Sequence, residues 1–124
     1  MGAKQKGTNA ERELIHMLWK TGWGGIRVAG SGSIKYPAPD VIAGNGLRRI
    51  VVECKSIGGS FVYLTKKEVS ELIEFSKAIN AEPWIGVRFK QAKWLFIGPE
   101  ELEETSLHFV VRLKTAELRG LSFE

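Results

Sequence analysis

Apolar residues recur along the chain at helical spacing in some segments and at strand spacing in others, which predicts a mixed α/β domain. An apolar stripe that includes Leu14 and Leu18 predicts a first helix over residues 8–21. Thr8 and Glu11 match a capping box at the start of this helix.

A second helix and several strands are predicted from the rest of the chain. A second capping box at residues 65–68, followed by apolar residues at helical spacing, predicts a helix over residues 66–80. Strands are predicted at 26–29, 40–43, 49–56, 84–89 and 94–97, with a basic turn at 90–93 and one further candidate strand at 109–113. The order α-β-β-β-α-β-β predicts an α/β fold with a central mixed β-sheet flanked by helices.

Composition places the chain among ordinary folded domains. The 124 residues are 44% hydrophobic and 26% charged, which suits a single domain over residues 1–124 with a flexible basic arm at 1–7. There is one cysteine and no apolar run long enough to span a bilayer. These features argue against disulfide scaffolds, Cys/His zinc modules and membrane proteins.

Positive charge is concentrated in the first half of the chain. Residues 1–66 contain ten Lys and Arg against four Asp and Glu, whereas residues 67–124 contain eight against ten. A basic half on a folded domain favours a polyanionic partner, and nucleic acid is the first candidate.

The segment that carries candidate chemistry runs from Pro39-Asp40 to Glu53-Cys54-Lys55. A glycine turn at 44–46 predicts a hairpin that folds the Asp40 strand back beside the Glu53 strand. Because alternate residues of a strand share a face, Glu53 and Lys55 point the same way and Cys54 points toward apolar packing. Two carboxylates and one ammonium are therefore expected near one end of a sheet.

Two adjacent carboxylates repel each other, and a hard divalent cation removes that conflict. Asp40, Glu53 and the backbone carbonyl of Cys54 offer the oxygen ligands that Mg²⁺ prefers, with Mn²⁺ as a candidate substitute. Such an ion polarises a phosphodiester and activates water, while Lys55 stabilises the developing negative charge. An isolated E-x-K is more often a surface salt bridge, but the combined pattern favours a nuclease.

The order of these motifs resembles a known family. Pro39-Asp40 with Glu53-Cys54-Lys55 looks like the PD-(D/E)xK motif of the restriction-endonuclease-like superfamily. Three more segments resemble the archaeal Holliday junction resolvases: KGTNAERE at 6–13, RVAGS at 27–31 and LIEFS at 72–76. The resemblance covers residues 4–97 and implies a restriction-endonuclease-like fold, four-way DNA as substrate and a two-fold homodimer.

The resemblance also implies a role for individual residues. Asp40 and Glu53 match the metal-binding carboxylates, and Lys55 matches the motif lysine. Glu11 matches a glutamate of the first helix that belongs to the active site, which makes it a further candidate for the metal site. Ser31 matches a loop serine linked to activity.

Two of these positions have a second interpretation. Ser33 lies two residues beyond Ser31 and fits the loop serine equally well by composition. Glu11 is also the third residue of the predicted capping box, where it would serve the helix alone. However, its spacing places it on the apolar face with Leu14 and Leu18, where a carboxylate needs a partner.

Basic residues near these motifs are candidate DNA contacts. The resemblance implies phosphate contacts by two arginines, and the start of the second helix adds two lysines, since a helix N-terminus favours anions. Residues 4 and 6 belong either to a solvated tail or to an arm that inserts at a junction. The full candidate set is Lys4, Lys6, Arg12, Arg27, Ser33, Lys35, Lys66 and Lys67.

The second helix also carries a candidate dimer surface. Leu72, Phe75 and Ile79 form an apolar group that is either edge core or half of a symmetric dimer patch, and the resemblance favours the dimer.

The sequence as a whole predicts a metal-dependent endonuclease that resolves four-way junctions by paired symmetric nicks during recombination or repair. Another nuclease of the same superfamily, acting on nicked or foreign duplex DNA, and a junction-binding module without catalysis are the alternatives. A sliding clamp or a branch-migration helicase is a candidate protein partner, although the tail after Pro99 shows no docking motif. The protein is expected in the cytoplasm, associated with the nucleoid.

Overall fold

Two β-sheets and three helices make up the computed structural model of the protein, which describes residues 3–89 and 93–120. The helices are α1 (Ala3–Lys20), α2 (Lys66–Ala78) and α3 (Leu113–Arg119). The strands are β1 (Gly24–Arg27), β2 (Val41–Gly44), β3 (Arg49–Ser56), β4 (Phe61–Thr65), β5 (Glu82–Phe89), β6 (Lys93–Ile97), β7 (Glu103–Glu104) and β8 (His108–Arg112).

The central sheet has five strands in the order β1-β2-β3-β5-β6, and a smaller sheet has the order β4-β8-β7. Strands β3 and β5 are parallel, and every other neighbouring pair is antiparallel. The predicted mixed sheet flanked by helices is therefore confirmed. The candidate strand after Pro99 is present as β8, whereas β4, β7 and α3 extend the predicted order of elements.

The core lies on both faces of the central sheet because β3 is buried on both sides. Ile50 and Val52 pack in a cluster with Leu14 and Leu18 of α1. Val51, one residue out of phase, packs in a second cluster formed largely by α2, β5, β6 and the small sheet. The alternation predicted for this strand is therefore present, and it separates the side of α1 from the side of α2.

Leu72 belongs to this second cluster and is only 1% exposed. The prediction that it lies in a dimer interface is wrong, because its side chain is buried within one copy of the chain. Phe75 and Ile79 are half-buried at the edge of the same cluster.

Helix α1 begins at Ala3, five residues before the predicted start. The AKQK segment at 3–6 has high helix propensity, and the helix continues through Gly7 despite the cost of a glycine there. Thr8 lies inside the helix, so its interpretation as the N-cap of a capping box is wrong. The backbone of residues 3–7 forms the first part of α1. Among the described residues, no helix is long and apolar enough to cross a membrane.

Two local predictions are confirmed at the elements that carry the candidate chemistry. The β2–β3 hairpin closes through Asn45, whose side chain accepts from the backbone N–H groups of Leu47 and Arg48, and Gly46 takes a left-handed φ of 91°. Helix α2 begins with a complete capping box between Thr65 and Glu68. The predicted basic turn after β5 lies outside the described residues, apart from Lys93.

Candidate active site

The hairpin brings Asp40 beside β3, as the spacing in the sequence predicts. Val41 pairs with Val52 in antiparallel register, and the backbone N–H of Asp40 donates to the carbonyl of Val52 at 3.0 Å. The next residue along β3 is Glu53. The strand pairing therefore places the two predicted carboxylates at the same end of the two strands.

Asp40 is almost buried, at 9% exposure, and both of its carboxylate oxygens accept hydrogen bonds. Oδ1 accepts from the Ser31 hydroxyl at 2.6 Å, and Oδ2 accepts from the backbone N–H of Cys54 at 2.8 Å. The Ser33 hydroxyl instead donates to the carbonyl of Gly30 at 3.1 Å. Of the two serines that composition left equivalent, Ser31 is the one in contact with the candidate site.

Replacing Ser31 by Ala is expected to slow the predicted DNA cleavage by about 10- to 100-fold, because a hydrogen bond to a charged acceptor typically contributes about 1.5–3 kcal/mol. The loss acts on the orientation of Asp40, so DNA affinity is expected to change little. Ser33→Ala is the matched control, since it removes the same hydroxyl from the same loop without touching Asp40. Single-turnover cleavage rates compare the two, and equal rates for both variants would contradict a role for Ser31.

Glu53 and Lys55 lie on the face of β3 that α2 covers, where Glu68 meets both of them. The Lys55 ammonium donates to Glu68 Oε2 at 2.7 Å, and the negative charge of Glu68 acts on the Glu53 carboxyl. A cleft of about 260 Å³ opens here, lined by Ser31, Ala38, Asp40, Glu53, Cys54, Lys55, Glu68 and Glu71. A larger cleft of about 600 Å³ beside α3 is mainly apolar, and Asp40, Glu53 and Lys55 do not line it.

The electrostatics of the cleft favour a proton on Glu53. Burial raises the pKa of the Glu53 carboxyl to about 9, and the negative charges of Asp40 and Glu68 act in the same direction against the smaller opposing effect of Lys55. Burial would also raise the pKa of Glu68, but hydrogen bonds from Lys55 and from the Thr65 backbone hold that pKa below its ordinary value.

Glu11 reaches the same electrostatic environment from α1. Its Oε1 lies 3.6 Å from Arg27 Nη1, and both side chains are largely buried. Burial and the charge of Asp40 raise the pKa of the Glu11 carboxyl to about 7, while Arg27 opposes them. The interpretation of Glu11 as a capping residue is wrong because it lies within the helix, whereas its expected position on the inward face is confirmed.

The predicted DNA-contacting residues differ in how far their side chains are exposed. Arg12, Lys35 and Lys67 are exposed, although Lys67 Nζ lies 3.9 Å from Glu71 Oε1 and Lys35 Nζ lies 5.8 Å from the centre of the Tyr36 ring. Arg27 pairs with Glu11, and Lys66 pairs with Glu104 at 2.5 Å while lying 4.4 Å from the centre of the Phe109 ring. The backbone at Lys4 and Lys6 belongs to α1, and the side chains of these two residues lie outside the described part.

The comparison with known proteins decides the family. A family model described as "Archaeal holliday junction resolvase (hjc)" matches residues 2–124. The chain belongs to this resolvase family. The resemblance drawn from the sequence motifs is therefore confirmed.

Individual relatives agree with the family match. The chain is 37% identical to the crossover junction endodeoxyribonuclease Hjc of Archaeoglobus fulgidus, over 98% of this chain and 94% of that protein. It is 34% identical to the crossover junction endodeoxyribonuclease Hje of Saccharolobus solfataricus, over 79% of this chain and 75% of that protein. The crystal structure of Archaeoglobus fulgidus Hjc, a Holliday junction resolvase, superposes with a TM-score of 0.86 at 36% identity, covering 94% of this chain and 91% of that one.

Two groups in this resolvase-family chain were not predicted as site residues. Glu68 was identified only as a helix cap, because its contact with Lys55 depends on how α2 packs against β3. On the other side of the sheet, Glu13 accepts from Arg88 and from the indole N–H of Trp94, each at 2.8 Å through Oε1. These partners lie 75 and 81 residues away along the chain, so no local sequence signal connects them.

Proposed function

We propose that this protein is a metal-dependent endonuclease that cuts four-way DNA junctions by paired symmetric nicks. The observation that carries the proposal is the single cleft onto which Ser31, Asp40, Glu53 and Lys55 open. The family supplies the substrate, since relatives that match most of the chain are named crossover junction endodeoxyribonucleases. The residues of the cleft supply the chemistry.

The donor set of the cleft suits Mg²⁺. Among the described residues, no group of three or more His, Cys, Asp or Glu side chains is arranged to hold a metal ion. Mg²⁺ in nucleases and kinases is commonly held by one or two carboxylates, with substrate oxygens and waters as further ligands. Asp40 and Glu53 would be the carboxylates, with the carbonyl of Cys54 as a third protein ligand and Glu11 as a further candidate.

Four residues of the cleft are assigned parts in phosphodiester hydrolysis: Ser31, Asp40, Cys54 and Lys55. A bound Mg²⁺ supplies Lewis-acid polarisation of the phosphate and favours deprotonation of water. Lys55 contributes positive charge where the scissile phosphate gains negative charge. Ser31 and the backbone N–H of Cys54 fix the two oxygens of Asp40, so that this carboxylate is already oriented before DNA binds.

Resolution of a junction needs two symmetric cuts, and an isologous dimer supplies two identical sites at a fixed separation. We propose that the protein acts as a homodimer on DNA. Phe75 on α2 and Ile79 directly after its end are both half-buried, and they remain candidates for the interface. Arg12, Lys35 and Lys67 are the exposed candidates for phosphate contact.

Cleavage of an immobile, end-labelled four-way junction tests the proposal, with Mg²⁺ or chelator and with a linear duplex of the same sequence in parallel. Paired nicks in the junction alone, dependent on Mg²⁺, are the expected result. Metal-dependent cutting of both substrates at equal rates would still support the metal centre, but it would contradict the proposed specificity for junctions. Tight junction binding without any metal-dependent product would indicate a binding module instead.

The raised pKa of Glu53 predicts how stability depends on pH in the presence of chelator. The folded protein keeps a proton on Glu53 up to a pKa of about 9, whereas the unfolded chain releases it near the ordinary value of 4.5. The folded state therefore binds more protons between these values, and its stability falls as pH rises through that window. Glu11, with a pKa of about 7, contributes a smaller fall in the same direction.

Glu53→Gln is expected to flatten this dependence, because the variant has no carboxyl to ionise at this position. Thermal melting in chelator between about pH 6 and pH 9 measures the effect, with Glu11→Gln as a comparison. Added Mg²⁺ is expected to raise the Tm of the wild-type protein at the alkaline end, and to raise the Tm of Glu53→Gln much less. Parallel Tm curves for wild type and Glu53→Gln would show that Glu53 does not titrate in this window.

A further inference from the structure

Glu68 uses its two carboxylate oxygens for two different purposes. Oε1 accepts from the backbone N–H of Thr65 at 2.8 Å, and the Thr65 hydroxyl accepts from the backbone N–H of Glu68 at 2.9 Å. These two hydrogen bonds complete the capping box of α2. Capping therefore accounts for only one of the two oxygens.

The second oxygen, Oε2, holds the ammonium of Lys55 at 2.7 Å. The Lys55 and Glu68 side chains are 24% and 30% exposed, so the pair is partly shielded from solvent. Both residues line the cleft that Asp40 and Glu53 also line. The ion pair is thus part of the candidate active site, not a surface contact elsewhere.

Because the capping box holds the Glu68 side chain in place, Glu68 can restrict the movement of the flexible Lys55 side chain. Lysine carries its charge on a flexible four-carbon stem and loses rotamer freedom when it is fixed in one place. Glu68 is tied to the backbone at the first turn of α2, and Val69, the next residue, is buried in the core at 3% exposure. An ammonium has three N–H donors, and the contact with Glu68 uses one of them.

We propose that Glu68 is a positioning residue for DNA cleavage, which fixes the Lys55 ammonium at the cleft from the N-terminus of α2. The proposal rests on the nuclease function proposed above and adds to it a residue outside the Pro39-Asp40 and Glu53-x-Lys55 segments. Glu68 acts through Lys55 and is not expected to touch DNA.

Glu68→Gln separates the two purposes. The Gln oxygen can still accept from the Thr65 backbone, but its amide group then presents N–H donors to Lys55 and carries no charge. Turnover of the four-way junction at saturating Mg²⁺ is expected to fall by about 10- to 100-fold with the KM unchanged, because the defect lies in the orientation of a group for the transition state. Thermal melting confirms that the variant is folded at the assay temperature.

Two control variants distinguish positioning from a structural role. Thr65→Ala removes the hydroxyl half of the capping box and leaves the contact between Glu68 and Lys55, so we expect a fall in Tm of about 4 °C and unchanged turnover. Glu74→Gln removes one negative charge from an exposed position of the same helix, and turnover is expected to stay at the wild-type value.

A double-mutant cycle with Lys55→Met decides whether Glu68 acts through the lysine. Glu68→Gln is expected to change turnover by less than about twofold when Lys55 is already absent. An equal loss in both backgrounds would overturn the proposal, as would wild-type turnover by the single variant Glu68→Gln. If the wild-type protein makes no metal-dependent cut, the proposed function fails and this proposal falls with it. If the wild type cuts and Glu68→Gln cuts equally fast, only the role of Glu68 is lost.

Discussion

Asp40→Asn is expected to lower the rate of junction cleavage by at least about 10³-fold while leaving junction affinity within about threefold of the wild type. Asparagine has nearly the same shape as aspartate, and its amide can still accept from the backbone N–H of Cys54 and donate to the Ser31 hydroxyl. What is lost is the negative charge that would hold a divalent cation. Single-turnover cleavage of an end-labelled junction measures the rate, and a gel shift in chelator measures the affinity.

Two further variants test whether the loss in Asp40→Asn comes from removing a carboxylate at the cleft. Glu82→Gln removes a carboxylate that pairs with Arg48 at the surface, and it is expected to leave cleavage unchanged. Glu53→Gln is expected to reproduce the loss seen with Asp40→Asn. Cleavage at the wild-type rate by both site variants would rule out Asp40 and Glu53 as the centre of the reaction.

Leu72→Ala is expected to lower the free energy of unfolding by about 2–5 kcal/mol, the usual cost of truncating a leucine in a packed core. Leu72 is 1% exposed and packs with a cluster that includes Val51, Ile85 and Val111, which come from three different strands. Urea denaturation followed by circular dichroism measures the change. Because the contacts lie within one copy of the chain, the loss is expected to be the same at all protein concentrations.

Lys77→Ala on the exposed side of α2 is the matched control, and it is expected to change the free energy of unfolding by less than about 0.5 kcal/mol. Phe75→Ala gives the contrast, since Phe75 is only half-buried and remains a candidate for a dimer surface. A loss of stability in Leu72→Ala that disappears at high protein concentration would restore the interface interpretation of Leu72.

Sequence patterns predicted the elements whose signals are local. The bounds of β3 agree with the prediction because the apolar run Ile50–Val52 begins four residues after Gly46, and the capping box sets the start of α2 at Lys66. The predicted start of α1 at residue 8 is wrong. Thr8 matches the pattern of a capping box, but the helix-forming residues before it extend the helix back to Ala3. Strand β4 was not predicted, although Phe61–Leu64 is a run of apolar and aromatic residues directly before the capping box of α2. Its side chains are exposed along much of its length, and among the described residues its partner is β8, which lies far along the chain.

The candidate site likewise combines relations set by nearby residues with contacts that depend on distant ones. The two-residue period of β3 determined that Glu53 and Lys55 share a face, and the hairpin determined that Asp40 lies alongside. These relations depend on neighbours within about 13 residues, where strand geometry and a tight turn leave few alternatives.

Only the tertiary structure decided which other side chains contact Asp40, Glu53 and Lys55 or lie near them. Ser31 rather than Ser33 meets Asp40 because the short turn at Ser31–Ser33 directs one hydroxyl into the cleft and the other onto its own backbone. Glu68 meets Lys55 because α2 packs across the face of β3, and Glu11 meets Arg27 because α1 packs against the other face. Such contacts depend on the packing of whole elements, which side-chain periodicity along one segment does not encode.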